Sequence, residues 1–132
     1  MKRQLISSGS YLEPEIGFSR AVRVGNVISV AGTAPIKAGG GNAAPGDAYG
    51  QMKRCIEIAR TAIEEAGGSL RDATRTRILV TDIAHWKDAA RAHGEAFHDI
   101  RPVTTVMQVT AFVDPEWLVE IEVDCVISDN GA

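Results

Sequence analysis

The sequence is short of aromatics, cysteine, basic charge and long apolar runs, and each shortage excludes something. Phe, Tyr and Trp make up 5% of 132 residues. The core must therefore be built from Val, Ile, Leu and Ala, and no surface of stacking aromatics is available for single-stranded nucleic acid. Fourteen Lys and Arg against 17 Asp and Glu leave a net charge of −3. That balance gives no footprint for DNA or RNA, whose affinity rests on many cations against phosphates. Local groups of cations do occur, Arg20 with Arg23 and Arg71 with Arg75 and Arg77. Only two cysteines are present, Cys55 and Cys125, with no C-x-x-C spacing. Both sit among apolar neighbours and read as buried, reduced thiols. His85, His93 and His98 share no face at metal-ligand spacing, so no metal is expected, and no Ser-His-Asp or Cys-His arrangement is legible. No apolar run approaches the roughly 20 residues that span a bilayer. Met1-Lys2-Arg3-Gln4 followed only by Leu5-Ile6 is no secretory leader. The expectation is a cytoplasmic protein with no membrane or nucleic-acid partner.

The length fits one domain, taken as residues 1–132, with enough chain to bury a core without staples. Residues 18–32 read as a hairpin about Gly25-Asn26, a pair that tolerates positive φ. Residues 33–46 carry Pro35, Gly39-Gly40-Gly41, Pro45 and Gly46 and read as a connector. The glycine run is not followed by Gly-Lys-Ser/Thr, so it is no phosphate loop. Ala48, Met52, Cys55, Ala59, Ala62 and Ala66 recur every three or four residues. That stripe predicts a helix over 47–66, with Asp47 as N-cap and Gly67-Gly68 as stop. Ser69 and Asp72 have capping-box spacing. Residues 74–82 read as a strand. Trp86, Ala90, His93, Phe97 and Ile100 predict a second helix over 84–100, ended by Pro102. Strands are predicted over 103–113 and 117–127, paired antiparallel across Asp114-Pro115-Glu116. The order of hairpin, helix, strand, helix, hairpin is an α+β pattern, most simply a sheet with two helices on one face.

The last strand carries the sharpest pattern. Trp117, Val119, Ile121, Val123, Cys125 and Ile127 alternate with Glu120, Glu122 and Asp124. Period two puts the three acids on one face at spacings of roughly 7 Å. Like charges that close call for counter-charges, and Arg75 and Arg77 are the natural ones. On spacing alone the acids read either as a solvated, cross-strand-paired face or as a pair fit for acid–base work. The preceding strand has its own stripe of Thr104, Val106, Gln108 and Thr110.

Five segments match one family in order. Phe18-Ser19-Arg20-Ala21-Val22 and Val30-Ala31-Gly32-Thr33-Ala34-Pro35 are similar to its Tyr-Ser-Gln-Ala-Val and Val-Ser-Gly-Gln-Ile-Pro. Val80-Thr81-Asp82-Ile83 is similar to its Val-Thr-Asp-Leu. Arg101-Pro102-Val103-Thr104-Thr105-Val106 sits at its Pro-Ala-Arg-Ser, and Val119-Glu120-Ile121-Glu122 at its Ile-Glu-Ile-Glu. On these motifs the chain resembles the Rid (YjgF/YER057c) family. The resemblance implies a chorismate-mutase-like β-β-α-β-α-β-β fold of the bacillus type, with a mixed sheet. It also implies a homotrimeric barrel with a small-molecule cleft at each subunit interface. The family hydrolyses reactive enamines and imines, such as 2-aminoacrylate, to keto acids and ammonia, with no metal or organic cofactor. Carried over, Glu120 matches the catalytic water-positioning acid. Ala31 and Gly32 match the backbone contact with substrate, and Phe18 the pocket Tyr. Thr104, flanked by Thr105 and Val106, falls where the family has the Arg that clamps the substrate carboxylate.

The departures shape the expected function. Thr104 can donate one hydrogen bond but cannot clamp a carboxylate. Loss of such a charge-assisted pair costs about 2–5 kcal/mol, roughly thirty-fold to several-thousand-fold in binding. Arg101, three residues before Thr104, and Arg20, where the family often has Gln, are the candidate replacement cations. Phe18 lacks the Tyr hydroxyl, and His85-Trp86 replaces a common Asn-Asp. The expectation is a small-molecule-binding protein or divergent deaminase whose ligand is not an ordinary α-imino acid. The alternative is the family's usual 2-iminobutanoate/2-iminopropanoate deaminase. An endoribonuclease or translation-inhibitor role runs against the acidic balance.

Overall fold

The computed structural model describes residues 2–128; Met1 and residues 129–132, which the one-domain expectation also covers, lie outside them. Gly25 takes φ 59°, the left-handed region open to glycine, and closes the expected hairpin between β2 (Ala21–Val24) and β3 (Val27–Thr33). Two further elements precede it, β1 (Arg3–Ile6) and the short helix α1 (Leu12–Ile16). Neither is long enough to show a period in the sequence.

Helix α2 (Ala48–Glu65) forms where its stripe predicts. The Asp47 carboxylate accepts the Gly50 amide at 3.1 Å. At the other end Gly67 takes φ 91°, and the Gly68 amide donates back to the Ile63 carbonyl at 2.9 Å. Met52, Cys55, Ala59 and Ile63 are fully buried. The Ser69–Asp72 capping box is made, and leads through one 3-10 turn into β4 (Ala73–Val80).

Helix α3 (Trp86–Phe97) follows a second such turn. Its buried face differs from the expected one. Ala89, Ala92 and Phe97 are buried, whereas Trp86 is 45% exposed. Alanines face α2, which lets the two helices approach closely, and the bulkier Trp86 turns outward. Strands β5 (Val103–Gln108) and β6 (Val119–Val126) complete the set.

The six strands run in the order β1-β2-β3-β6-β4-β5. This corrects one expectation: β5 and β6 are not a hairpin. β5 pairs parallel with β4, from Arg75 opposite Val103 to Val80 opposite Gln108. The connection between them is α3, as a parallel crossover requires. β6 lies between β3 and β4, antiparallel to both. The segment after β5 is therefore a crossing rather than a turn. It is tied down by Gln51, a fully buried polar residue. Gln51 Oε1 accepts the Leu118 amide at 2.8 Å, and Nε2 donates to the Glu116 carbonyl at 3.1 Å. The Trp117 indole donates to Asn42 at 2.7 Å.

Ile28, Val30, Ile78, Val80, Val119, Ile121, Val123 and Cys125 form the apolar side of the sheet, with α2 and α3 packed on that side. Cys55 and Cys125 are free and buried, as expected. The other side of the sheet bears Glu120, Glu122 and Asp124. Among the described helices none is long and apolar enough to cross a membrane.

Candidate functional site

Register decides which charges meet on the open face of the sheet. β4 sets Arg77 opposite Glu122 and Leu79 opposite Glu120. Arg77 Nη1 lies 3.4 Å from Glu122 and 3.5 Å from Asp124. Arg75, the other expected counter-charge, is exposed beside a β-bulge and makes no ion pair among the described residues. Glu120 thus faces Leu79, and no cation of β4 neutralises it.

Its carboxylate rests instead on backbone. The register of β3 with β6 shifts between Val30 and Thr33. There Glu120 Oε1 lies so close to Gly32 that a Cβ on residue 32 would stand 2.7 Å away. Glycine is what permits this approach. Burial raises the Glu120 carboxyl from the ordinary 4.5 to about 7; Arg20 nearby opposes the rise and Glu122 adds to it. A carboxyl that titrates there is half ionised near neutrality, the condition for giving and taking protons.

Arg20 joins the surrounding residues. It is only 5% exposed. Its Nη1 donates to the Gly32 carbonyl at 2.5 Å and to Thr33 Oγ1 at 3.1 Å. Its guanidinium stands 5.3 Å from the centre of the Phe18 ring. Glu13 of α1, also buried, lies 3.6 Å from Arg20 Nε. Burial alone would raise the Glu13 carboxyl, but hydrogen bonds from Ser8 and Ser7 and the Arg20 charge outweigh it and hold it below its usual range. Arg20 itself is lowered by desolvation, against the pull of Glu13 and Glu120. A guanidinium stays charged through such shifts. Glu13 escaped the sequence reading because nothing local marks a carboxylate on a five-residue helix as buried.

Of the residues singled out in the sequence, Phe18, Ala31, Gly32 and Glu120 gather here. Ala31 donates its amide to the Arg20 carbonyl at 2.9 Å. Thr104, Thr105 and Val106 do not join them. They lie on β5, the exposed edge strand, with β4 between it and β6. Thr104 pairs with Thr76, which is fully buried on the helix side and hydrogen-bonded to His93 at 2.8 Å. Thr104 Oγ1 lies 2.8 Å from Thr76 Oγ1 and 3.1 Å from the Pro102 carbonyl. Thr104 thus points to the helix side and Glu120 to the open side, with Cα atoms roughly 14 Å apart by strand spacing and rise. Arg101 sits before the strand with φ 59° and donates back to the His98 carbonyl at 3.2 Å. Within one chain neither Arg101 nor Thr104 reaches Glu120. No three His, Cys, Asp or Glu converge as a metal centre requires among the described residues.

Comparison with known proteins agrees with this geometry. The family model described as Endoribonuclease L-PSP matches residues 9–127. A crystal structure of a Mycobacterium tuberculosis member of the YjgF/YER057c/UK114 family superposes with a TM-score of 0.86 at 40% identity, covering 96% of this chain and all of that one. An uncharacterized protein of Streptomyces coelicolor is 40% identical over 122 residues, 90% of this chain and 88% of the relative. The 3-aminoacrylate deaminase RutC of Acinetobacter baylyi is 28% identical over 121 residues, 92% of this chain and 95% of the relative.

Proposed function

The chain belongs to the Rid (YjgF/YER057c) family, and from that premise we propose that it binds a small molecule in a cleft shared between subunits of a homotrimer. In this reading Glu120 activates water against a C=N or enamine carbon. The observation that carries it is the Glu120 carboxyl itself: seated on Gly32, unpaired by β4, and titrating at about 7.

The chemistry follows from that value. As carboxylate, Glu120 takes a proton from water while the water oxygen bonds to the imine carbon. As carboxylic acid, it returns the proton to nitrogen. The carboxylate then takes the proton of the new hydroxyl and passes it to the amino nitrogen as the C–N bond breaks, leaving a carbonyl and ammonia. Hydrolysis should rise with pH through about 7 as the base ionises.

A shared cleft is supported by two features. Glu120 and Thr104 lie on opposite sides of one sheet, so a site that uses both needs a second chain. The open side and the β5 edge also leave apolar residues uncovered, with Leu5 61%, Val103 58% and Met107 37% exposed. An exposed edge strand of this kind is a template for association.

The ligand we propose is not an ordinary α-imino acid. Thr104 brings no charge. Arg101 is turned to a carbonyl, and Arg20 is engaged by Gly32, Thr33 and Glu13. A second reading, an enamine deaminase like the RutC relative, is favoured by the intact pairing of Glu120 with Gly32. Ammonia release from 2-aminoacrylate, generated in situ from serine by a dehydratase, separates them. The proposal expects slow release from the natural chain and faster release from Thr104→Arg. Full turnover by the natural chain would favour the second reading. No gain in the variant would remove the cleft that contains Thr104.

A further inference from the structure

A cavity of about 600 Å3 lies between the N-terminal segment Ser7–Tyr11, the loop that follows β3, and one face of α2. The volume is typical of a small-molecule site. None of Phe18, Gly32 and Glu120 lines it, so it lies beside the cleft described above and shares Arg20 with that site.

Its chemistry runs against that of the chain. The whole sequence is net negative, yet Arg20, Lys37 and Arg54 line this cavity against one carboxylate, Glu65. Counting Glu13 as the partner of Arg20 still leaves an excess of positive charge. Arg54 Nε donates to the Ile36 carbonyl at 2.8 Å, which fixes its stem and leaves both Nη groups without a hydrogen-bond partner among the described residues. Lys37 makes no ion pair among the described residues; its chain lies over Gly41, where a Cβ would stand 3.3 Å from Cε. Arg20 is the strongest indicator. It is 95% buried and lines the cavity; its Nη1 is bonded to Gly32 and Thr33 and its Nε stands 3.6 Å from the Glu13 carboxylate, which leaves Nη2 without a hydrogen-bond partner among the described residues. A buried guanidinium with donors to spare calls for an acceptor. Ile58 and Ala62 of α2 and Ala34 supply an apolar wall.

The two ends of the α2 wall differ in charge. Arg54, Ile58, Thr61 and Glu65 fall on one helix face, so the cation and the acid stand about 16 Å apart along the axis. An anionic group belongs at the Arg54 end, since Arg54 is held at Ile36, next to Lys37 in the chain, with a body running along Ile58.

We propose that this cavity binds a small organic anion, a carboxylate or phosphate group on an apolar body, through Arg20, Lys37 and Arg54.

Isothermal titration calorimetry with hexanoate, inorganic phosphate and neutral hexanol tests it. One or both anions should bind and hexanol should not; which anion binds distinguishes carboxylate from phosphate recognition. Lys37 is exposed, so Lys37→Gln folds, and it should weaken binding about tenfold through loss of one charge-assisted contact. Arg54→Gln should act in the same direction, and added salt should weaken binding further. Glu120→Gln should not weaken the affinity, because that carboxylate acts on Arg20 only as a competing negative charge, whereas it should abolish hydrolysis in the proposed cleft. The proposal is overturned if neither anion binds or if hexanol binds equally well. It is also overturned if both cation variants bind as the natural chain does, or if Glu120→Gln alone abolishes binding.

Discussion

Replacing Glu120 with Gln should stabilise the protein above neutral pH and change little below pH 5. Gln fills the same space against Gly32 but carries no charge. The folded Glu120 titrates at about 7 against an ordinary 4.5, so folding disfavours its charged form. The sign is that of a raised acid. Below about 4.5 the carboxyl is neutral in both folded and unfolded chains, and nothing is lost. Between 4.5 and 7 the unfolded chain ionises first and stability falls. Above 7 the full penalty applies. A displacement of that size corresponds to roughly 3 kcal/mol; partial solvent access trims it to about 2 kcal/mol. Urea unfolding of both chains at matched concentration, in buffers from about pH 4.5 to 8, measures it, matched because association would couple to unfolding. The gap between variant and natural chain should open across that window. A gap that stays constant with pH would refute the reasoning, because the carboxyl would then titrate as an ordinary surface glutamate.

Three further outcomes follow from the packing. Gly32→Ala puts a Cβ 2.7 Å from Glu120 Oε1; it should cost about 1–3 kcal/mol and displace the carboxylate, checked by urea unfolding and by loss of hydrolysis or ligand binding. Gln51→Ala removes the bonds that hold Glu116 and Leu118 and leaves buried backbone groups unpaired; a loss of about 3 kcal/mol or more is expected by thermal or urea denaturation. Burial pushes the Cys125 thiol up to about 12 and Cys55 well above its ordinary value, so neither should react with a thiol reagent at pH 8 until the chain is unfolded.

Much of this architecture is legible in the sequence because its signals are local. The stripe from Ala48 to Ala66 and the strict alternation through Cys125 each name an element and its buried face. The pairing of strands is not local. Asp114-Pro115-Glu116 looks like a hairpin turn, but the slot between β3 and β4 is filled by the strand that is apolar on every inward position. That is β6, and it sends the Thr-rich β5 to the edge. Alanine is a weak hydropathy signal, so the α3 stripe reads one residue out of phase, on Ala90 and His93 rather than on Ala89 and Ala92. At the site, Glu120 and Gly32 stand out by motif. Arg20 reads only as a stray cation until the fold brings Glu13 of α1 against it and buries both, a pairing that no periodicity announces.

The most direct test of the shared cleft is the mass of the protein in solution, since one chain leaves Glu120 and Thr104 on opposite sides of its sheet. Analytical ultracentrifugation or light scattering should give a trimer of the 14.1 kDa chain, about 42 kDa. A monodisperse species at 14.1 kDa would contradict it, because no single chain brings those two residues to one ligand.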